Sequence, residues 1–151
     1  MTEPKFYTIV SGEGQGKYPL LAFDNALCNA GVGDYNLVKV SSILPAGCQY
    51  KDKIDIEKGS IVYAAYSMAT VVEGEGATVA VATAVPLSLN ENGVIFEVSS
   101  NDNDAENSVR YMCKKAMLNR NREIKRIESS SIIVNGKKDT YICGVSAIIM
   151  W

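Results

Sequence analysis

Apolar and polar positions along this chain alternate with two periods. Phe6 to Val10 reads as a short strand, followed by a glycine-punctuated stretch, Ser11 to Lys17, read as a loop. Pro19 opens a short helix over Leu20–Ala30 that Gly31 stops. Gly33-Asp34 then turns the chain into one strand, Tyr35 to Leu44, closed by Pro45-Ala-Gly47; the mixed polar residues 48–58 read as a loop. Ser60–Val72 and Ala77–Leu87 are long β-like runs, with Glu73-Gly-Glu-Gly76 as a hairpin turn between them. Asn92-Gly93 signals a second hairpin leading into Val94–Ser99, and Asn135-Gly136 a third, between Arg126–Val134 and Thr140–Met150.

Helical periodicity is strongest between Asp104 and Arg122. Val109, Met112, Cys113, Ala116 and Met117 fall at offsets 0, 3, 4, 7 and 8, one face of an amphipathic helix. Asn103 and Glu106 have the spacing of a capping box. About seven strands and two helices, with no repeat or linker, predict one domain over residues 1–151. The fold class is α/β (α+β), a sandwich with largely antiparallel or mixed sheets and helices on their outer faces.

Composition narrows the chemistry. The 151 residues contain no histidine, which removes Ser-His and Cys-His nucleophile pairs, histidine bases and histidine metal sites. Fifteen basic residues against 17 acidic argue against a nucleic-acid partner. The N-terminal residues lack the pattern of a secretory signal, and the longest near-apolar stretch, Ala77–Leu87, is too short for a membrane helix; the expected location is cytoplasmic, with no membrane partner. Cys28, Cys48, Cys113 and Cys143 form no CxxC and read mostly as small core residues. Gly12, Gly14 and Gly16 match neither a dinucleotide fingerprint nor a P-loop.

Three places remain where chemistry fits. In Val38-Lys-Val-Ser-Ser-Ile-Leu-Pro45, two serines end an apolar strand. They are either a polar strand end or a self-cleavage site. In the second case the Ser42 hydroxyl attacks the Ser41 carbonyl, the amide becomes an ester, and β-elimination breaks the ester. Position 42 is left as a dehydroalanine that hydrolyses to a pyruvoyl group. That chemistry needs a donor for the oxyanion and a well-held peptide, but no histidine. Glu97, in Gly93-Val-Ile-Phe-Glu-Val98, shares a strand face with Ile95; it is either solvated or a partly buried proton donor. Asp24 lies in an Asn/Asp/Gly-rich stretch that serves helix ends and turns, or else binds a cation.

Together these segments resemble the pyruvoyl-dependent arginine decarboxylases. Residues Leu21 to Pro45 carry the likeness most specifically, and Gly93–Glu97, Arg126–Ser129 and Ala147–Trp151 follow in the right order. The resemblance implies an αββα four-layer sandwich. It implies self-cleavage into chains 1–41 and 42–151, with Ser42 becoming a covalent pyruvoyl cofactor and no pyridoxal phosphate or metal. The pyruvoyl group forms a Schiff base with L-arginine, which loses CO2 to give agmatine. Glu97 is then the proton donor, Asn36 assists self-processing, Asp24 binds the guanidinium, and Gly33, Ser41 and Ile43 line the substrate site. The implied assembly is a homotrimer, or a dimer of trimers, with sites shared between protomers.

Asn36 and Ser42 would lie ~20 Å apart on a straight strand, so either the chain bends sharply or Asn36 serves a neighbour's Ser42. Two other functions stay open. One is a pyruvoyl-dependent decarboxylase of lysine, ornithine or histidine. The other is an uncleaved binding protein of the same fold. Acidic Asp24 and Glu97 favour a cationic ligand.

Overall fold

A computed structural model describes residues 3–151. The elements run β1 (Phe6–Gly16), α1 (Pro19–Asn29), β2 (Asn36–Lys39), β3 (Ile43–Leu44), β4 (Gln49–Tyr50), β5 (Ile61–Val71), β6 (Gly76–Pro86), β7 (Gly93–Ser100), α2 (Ala105–Asn119), β8 (Ile124–Asn135) and β9 (Tyr141–Met150). Five strands form one sheet in the order β2-β5-β9-β1-β4, and four form a second in the order β3-β7-β6-β8. The larger sheet is antiparallel at its centre, with parallel pairs at both edges. The smaller is antiparallel throughout.

Each sheet has one face on the other sheet and one on a helix. Val81, Val85 and Ile95 of the small sheet meet Tyr7, Ala65, Ile148 and Met150 of the large one between the sheets. Ala80, Ala82 and Ala84 alternate to the other face, under Val109, Cys113, Ala116 and Met117 of α2. β6 is therefore buried on both faces and loses the polar alternation of a half-exposed strand. Ala22 and Ala26 of α1 cover the outer face of the large sheet against Cys143 and Val145. The result is the expected four-layer αββα sandwich, and the face of α2 anticipated from periodicity is the buried one.

Four local expectations need correction. Ser11–Lys17 is not a loop: β1 continues to Gly16, and the alternate glycines mark the strand face beneath α1. A Cβ at Gly14 would stand 2.2 Å from the Ala26 nitrogen, and one at Gly12 2.4 Å from the Ala26 oxygen. Asn25 and Asn29 then donate to the Gln15 and Glu13 carbonyls at 2.8 and 2.6 Å, satisfying backbone groups along this stretch of β1.

Glu73–Gly76 and Asn135-Gly136 do reverse the chain, but as crossovers, since β5 and β6, and β8 and β9, lie in different sheets. The two crossovers hold each other, the Gly136 amide donating to the Glu75 carbonyl at 2.8 Å. Only Asn92-Gly93 closes a true hairpin, β6–β7. Asn103 and Glu106 form no capping box. The Glu106 carboxylate instead accepts from Ser129 and Ser131 of β8 at 2.8 and 2.7 Å, which holds its pKa down and pins α2 to the sheet. The fourth correction, the strand predicted over Tyr35–Leu44, bears on function.

Candidate active site

Tyr35–Leu44 is broken in the middle. β2 pairs with β5 in the large sheet, whereas β3 pairs with β7 in the small one. Residues 40–42 carry the chain from one sheet to the other, and the Ser41–Ser42 peptide lies in this bridge. Both ends of it are pinned. The Val40 amide donates to the Ala64 carbonyl at 3.0 Å on the large sheet, and the Ile95 amide donates to the Ser42 carbonyl at 2.8 Å on the small one. Between these anchors, the Ser41 carbonyl accepts no hydrogen bond from any described residue. Ser41 is exposed and Ser42 half-buried. The polar character of this strand end therefore reflects a change of sheet, at which one peptide leaves both ladders.

The register of β3 brings Glu97 to the same place. Ile43 pairs with Val94, so Ser42 stands opposite Ile95. Ile95 and Leu44 face the space between the sheets, and strand alternation puts Ser42 and Glu97 on that face too. Glu97 lies one pleat beyond Ile95, the diagonal neighbour of Ser42, with backbones about 7–8 Å apart. The opposite face carries Val94, Phe96 and Val98 onto α2, as the alternation predicts. Glu97 is half-buried, and burial pushes its pKa up, with the Lys39 ammonium pulling the other way. The carboxyl is thus biased toward the protonated form that a proton donor requires.

A cavity of about 370 Å³ opens beside Ser41. Val40 and Ser41 line it from the bridge, Ile43 and Pro45 from β3 and the residue after it, Tyr63 and Met150 from the large sheet, and Glu3 and Pro4 from the N-terminal segment. Sequence reading missed Tyr63, which looks like any aromatic in a strand. It also missed Lys39, which the structure places 4.5 Å over the Tyr66 ring.

The remaining predicted residues are elsewhere. Asp24 is exposed on α1, on the outer side of the large sheet. It borders an open apolar groove of about 700 Å³ with Tyr18, Leu20, Leu21, Phe23 and Leu27. Phe23 stacks on Tyr66 at 6.0 Å, fixing this part of the helix to β5. Gly33 lies in the turn after α1, where a Cβ would meet the Cys28 Sγ at 2.5 Å. Asn36 is exposed at the far end of β2 from the bridge, and its side-chain amide donates to the Gly59 carbonyl at 2.7 Å. One protomer therefore gathers Ser41, Ser42, Ile43 and Glu97, and holds Asp24, Gly33 and Asn36 apart from them. Asp24 and Glu97 do not share a pocket within the chain.

Among the described residues no group of three or more carboxylates or cysteines is placed to hold a metal, and no helix is long and apolar enough to cross a membrane. Cys48, Cys113 and Cys143 are buried as expected, while Cys28 is exposed. Burial pushes the Cys48 thiol up to about 12 and that of Cys113 to about 11, which leaves both protonated at neutral pH.

Comparison with known proteins agrees with this geometry. The family model described as pyruvoyl-dependent arginine decarboxylase matches residues 6–151. The pyruvoyl-dependent arginine decarboxylase of Methanocaldococcus jannaschii is 34% identical over 151 residues, covering 98% of this chain and 90% of that protein. That of Pyrococcus abyssi is 34% identical over 159 residues, covering 99% and 97%. That of Methanothermobacter thermautotrophicus is 42% identical over a shorter 111 residues, 69% and 72%. With serines at a pinned, unladdered peptide, a half-buried acid beside them, and a match over almost the whole length, this chain belongs to the pyruvoyl-dependent arginine decarboxylase family.

Proposed function

We propose that this chain decarboxylates L-arginine to agmatine and CO2, using a pyruvoyl group made from its own Ser42. The observation that carries the reading is the Ser41–Ser42 bridge, anchored to a different sheet at each end with Glu97 diagonal to it. A peptide held this way is preorganised for attack by the neighbouring hydroxyl. Its carbonyl exchanges no ladder hydrogen bond on becoming tetrahedral. The Ser42 proton passes to the amide nitrogen as the acyl group moves to oxygen. Loss of the Ser42 α-proton then expels the Ser41 carboxylate and gives chains 1–41 and 42–151. These residues suit a pyruvoyl group: a serine at the new N-terminus, a cavity lined by its neighbours Ser41 and Ile43, and a half-buried acid diagonal to it. Once present, the pyruvoyl carbonyl supplies the electron sink for loss of carboxylate.

This chain's own residues do the rest. Glu97 delivers the proton that replaces CO2, and burial keeps that proton available toward neutral pH. Val40, Ile43 and Met150 form the apolar wall of the cavity beside Ser41, where a seated substrate is screened from water on that side. Asp24 pairs with the guanidinium, for which a carboxylate offers a bidentate partner. Because Asp24, Gly33 and Asn36 stand away from Ser42 within one chain, the site is completed by a neighbouring copy. The resemblance to the family makes that assembly a homotrimer with three shared sites. Exposed Leu20 and Leu21 beside Asp24 give that neighbour an apolar seat.

The test is turnover. Purified protein supplied with L-arginine should form agmatine and CO2 in equal amounts, and Ser42→Ala protein should form neither. Preference for lysine, ornithine or histidine would reassign the substrate, and no turnover of any amino acid by cleaved protein would overturn the reading.

A further inference from the structure

Self-cleavage at Ser41–Ser42 puts negative charge on the Ser41 carbonyl oxygen, and among the described residues that oxygen has no backbone donor. The amides that anchor the two ends of the bridge are engaged, Val40 with Ala64 and Ile95 with Ser42. Asn36 of the same chain is committed to Gly59. What the same protomer does offer is Tyr63. It pairs with Val38 in the parallel β2–β5 ladder and with Met150 across β5–β9. Together with Val40 it packs against the cluster between the sheets, and it lines the cavity that Ser41 lines. Its phenol makes no hydrogen bond with any described residue. Tyr35 donates instead to the Ile56 carbonyl, and Tyr7 to Glu128, so neither has a free phenol proton.

Resting on the self-cleavage reading above, we infer that the Tyr63 phenol donates a hydrogen bond to the Ser41 carbonyl oxygen as Ser42 attacks, making Tyr63 an oxyanion donor for chain processing. The balance is simple. The Ser42 Oγ–carbon bond forms, the carbonyl π pair moves onto oxygen, and the phenol O–H stabilises that charge without losing its proton. The pair returns when the carbon–nitrogen bond breaks, and the amine leaves carrying the hydroxyl proton. Tyr63 lies against apolar Val40 and Met150 in a cavity that Glu3 also lines, and a neutral phenol donates there without adding a second charge.

The test compares cleavage of Tyr63→Phe with that of the parent by intact mass over time after synthesis. Loss of one oxyanion donor should slow cleavage by about 10²–10³-fold. The phenyl ring remains, so Tm and assembly size should match the parent when both are measured in an uncleavable Ser42→Ala background. Hydroxylamine separates the steps, because it cuts any accumulated ester at Ser41. Tyr63→Phe should stay intact in hydroxylamine, since ester formation is the step that is slowed. Rapid cutting would place Tyr63 after ester formation and overturn the inference, as would cleavage at the parental rate. If the Phe variant fails to assemble, 3-fluorotyrosine incorporated at position 63 keeps the shape while strengthening the donor. An unchanged cleavage rate there overturns the inference equally. A parent protein that never cleaves defeats the self-cleavage reading instead, a distinct result.

Discussion

Replacing Gly14 with alanine should loosen α1 and weaken substrate binding while leaving chain cleavage intact. The added Cβ would lie 2.2 Å from the Ala26 nitrogen and 2.5 Å from the Ala22 oxygen, against ordinary contact from 3.4 Å. Neither neighbour is a flexible side chain; both are helix backbone. The helix must therefore retreat by about 1.2 Å, in the manner of an overpacked core, at a cost of about 1–3 kcal/mol. For a domain of this size that lowers Tm by about 2–12 °C. The retreat would stretch the Asn25 and Asn29 hydrogen bonds to β1 and carry Asp24 outward with Phe23. The Ser41–Ser42 bridge lies on the other side of the large sheet, anchored to Ala64 and Ile95, so processing should run at the parental rate. Thermal melts, intact mass and steady-state kinetics on one preparation read all three effects: lower Tm, complete cleavage, raised KM. A Tm within 1 °C of the parent would refute the close approach of α1 to β1, and a cleavage defect would refute the separation of the two half-sites.

Further outcomes follow from the same geometry. Glu97→Gln should cost about 10²–10⁴ in turnover. Because burial raises the Glu97 pKa, the folded chain holds that proton more tightly than the unfolded one, and stability is lost as pH rises through the folded value. Melts at pH 8 should thus show the Gln variant at least as stable as the parent, and a marked drop would mean the ionised carboxylate is needed by the fold. For the same reason, parental turnover should decline as pH rises and Glu97 loses its proton, a limb that Lys39→Met should move to higher pH by removing the opposing charge. Asp24→Asn should raise KM for arginine at least about tenfold, the loss of one charge-assisted pair, without slowing cleavage; an unchanged KM counts against Asp24 as the guanidinium partner. Mixing Asn36→Ala subunits with Ser42→Ala subunits during refolding should recover activity that neither has alone, and no recovery would contradict sharing between protomers.

Much of the fold could be read from the chain because its strongest signals are local. The Val109–Met117 stripe has one helical period and one possible buried face, and α2 uses it. Alternation in Val94–Val98 sorted the helix-facing residues from Ile95 and Glu97 correctly. Turn chemistry is less complete. Glu73–Gly76 and Asn135-Gly136 specify a reversal, but whether the next strand joins the same sheet depends on which neighbours lie there, and that is a non-local fact. The glycines at 12, 14 and 16 misled because a flexible loop and a strand face pressed on a helix both call for residues without a Cβ.

The site was legible in part for the same reason. Ser41 and Ser42 stood out as polar residues in an apolar run, and the ~20 Å reach to Asn36 pointed to a second subunit or a bend. The chain does turn, at residues 40–42, but the turn carries Ser42 to the other sheet while Asn36 stays on Gly59. Tyr63 gave no signal, since its part depends on the cavity formed between β5 and the bridge.

Self-cleavage is tested most directly by an intact mass of the purified, denatured protein. The expected result is two chains broken between Ser41 and Ser42, with the larger blocked to N-terminal sequencing and reactive toward carbonyl reagents. A single 16.3 kDa species, unchanged after long incubation, would contradict it.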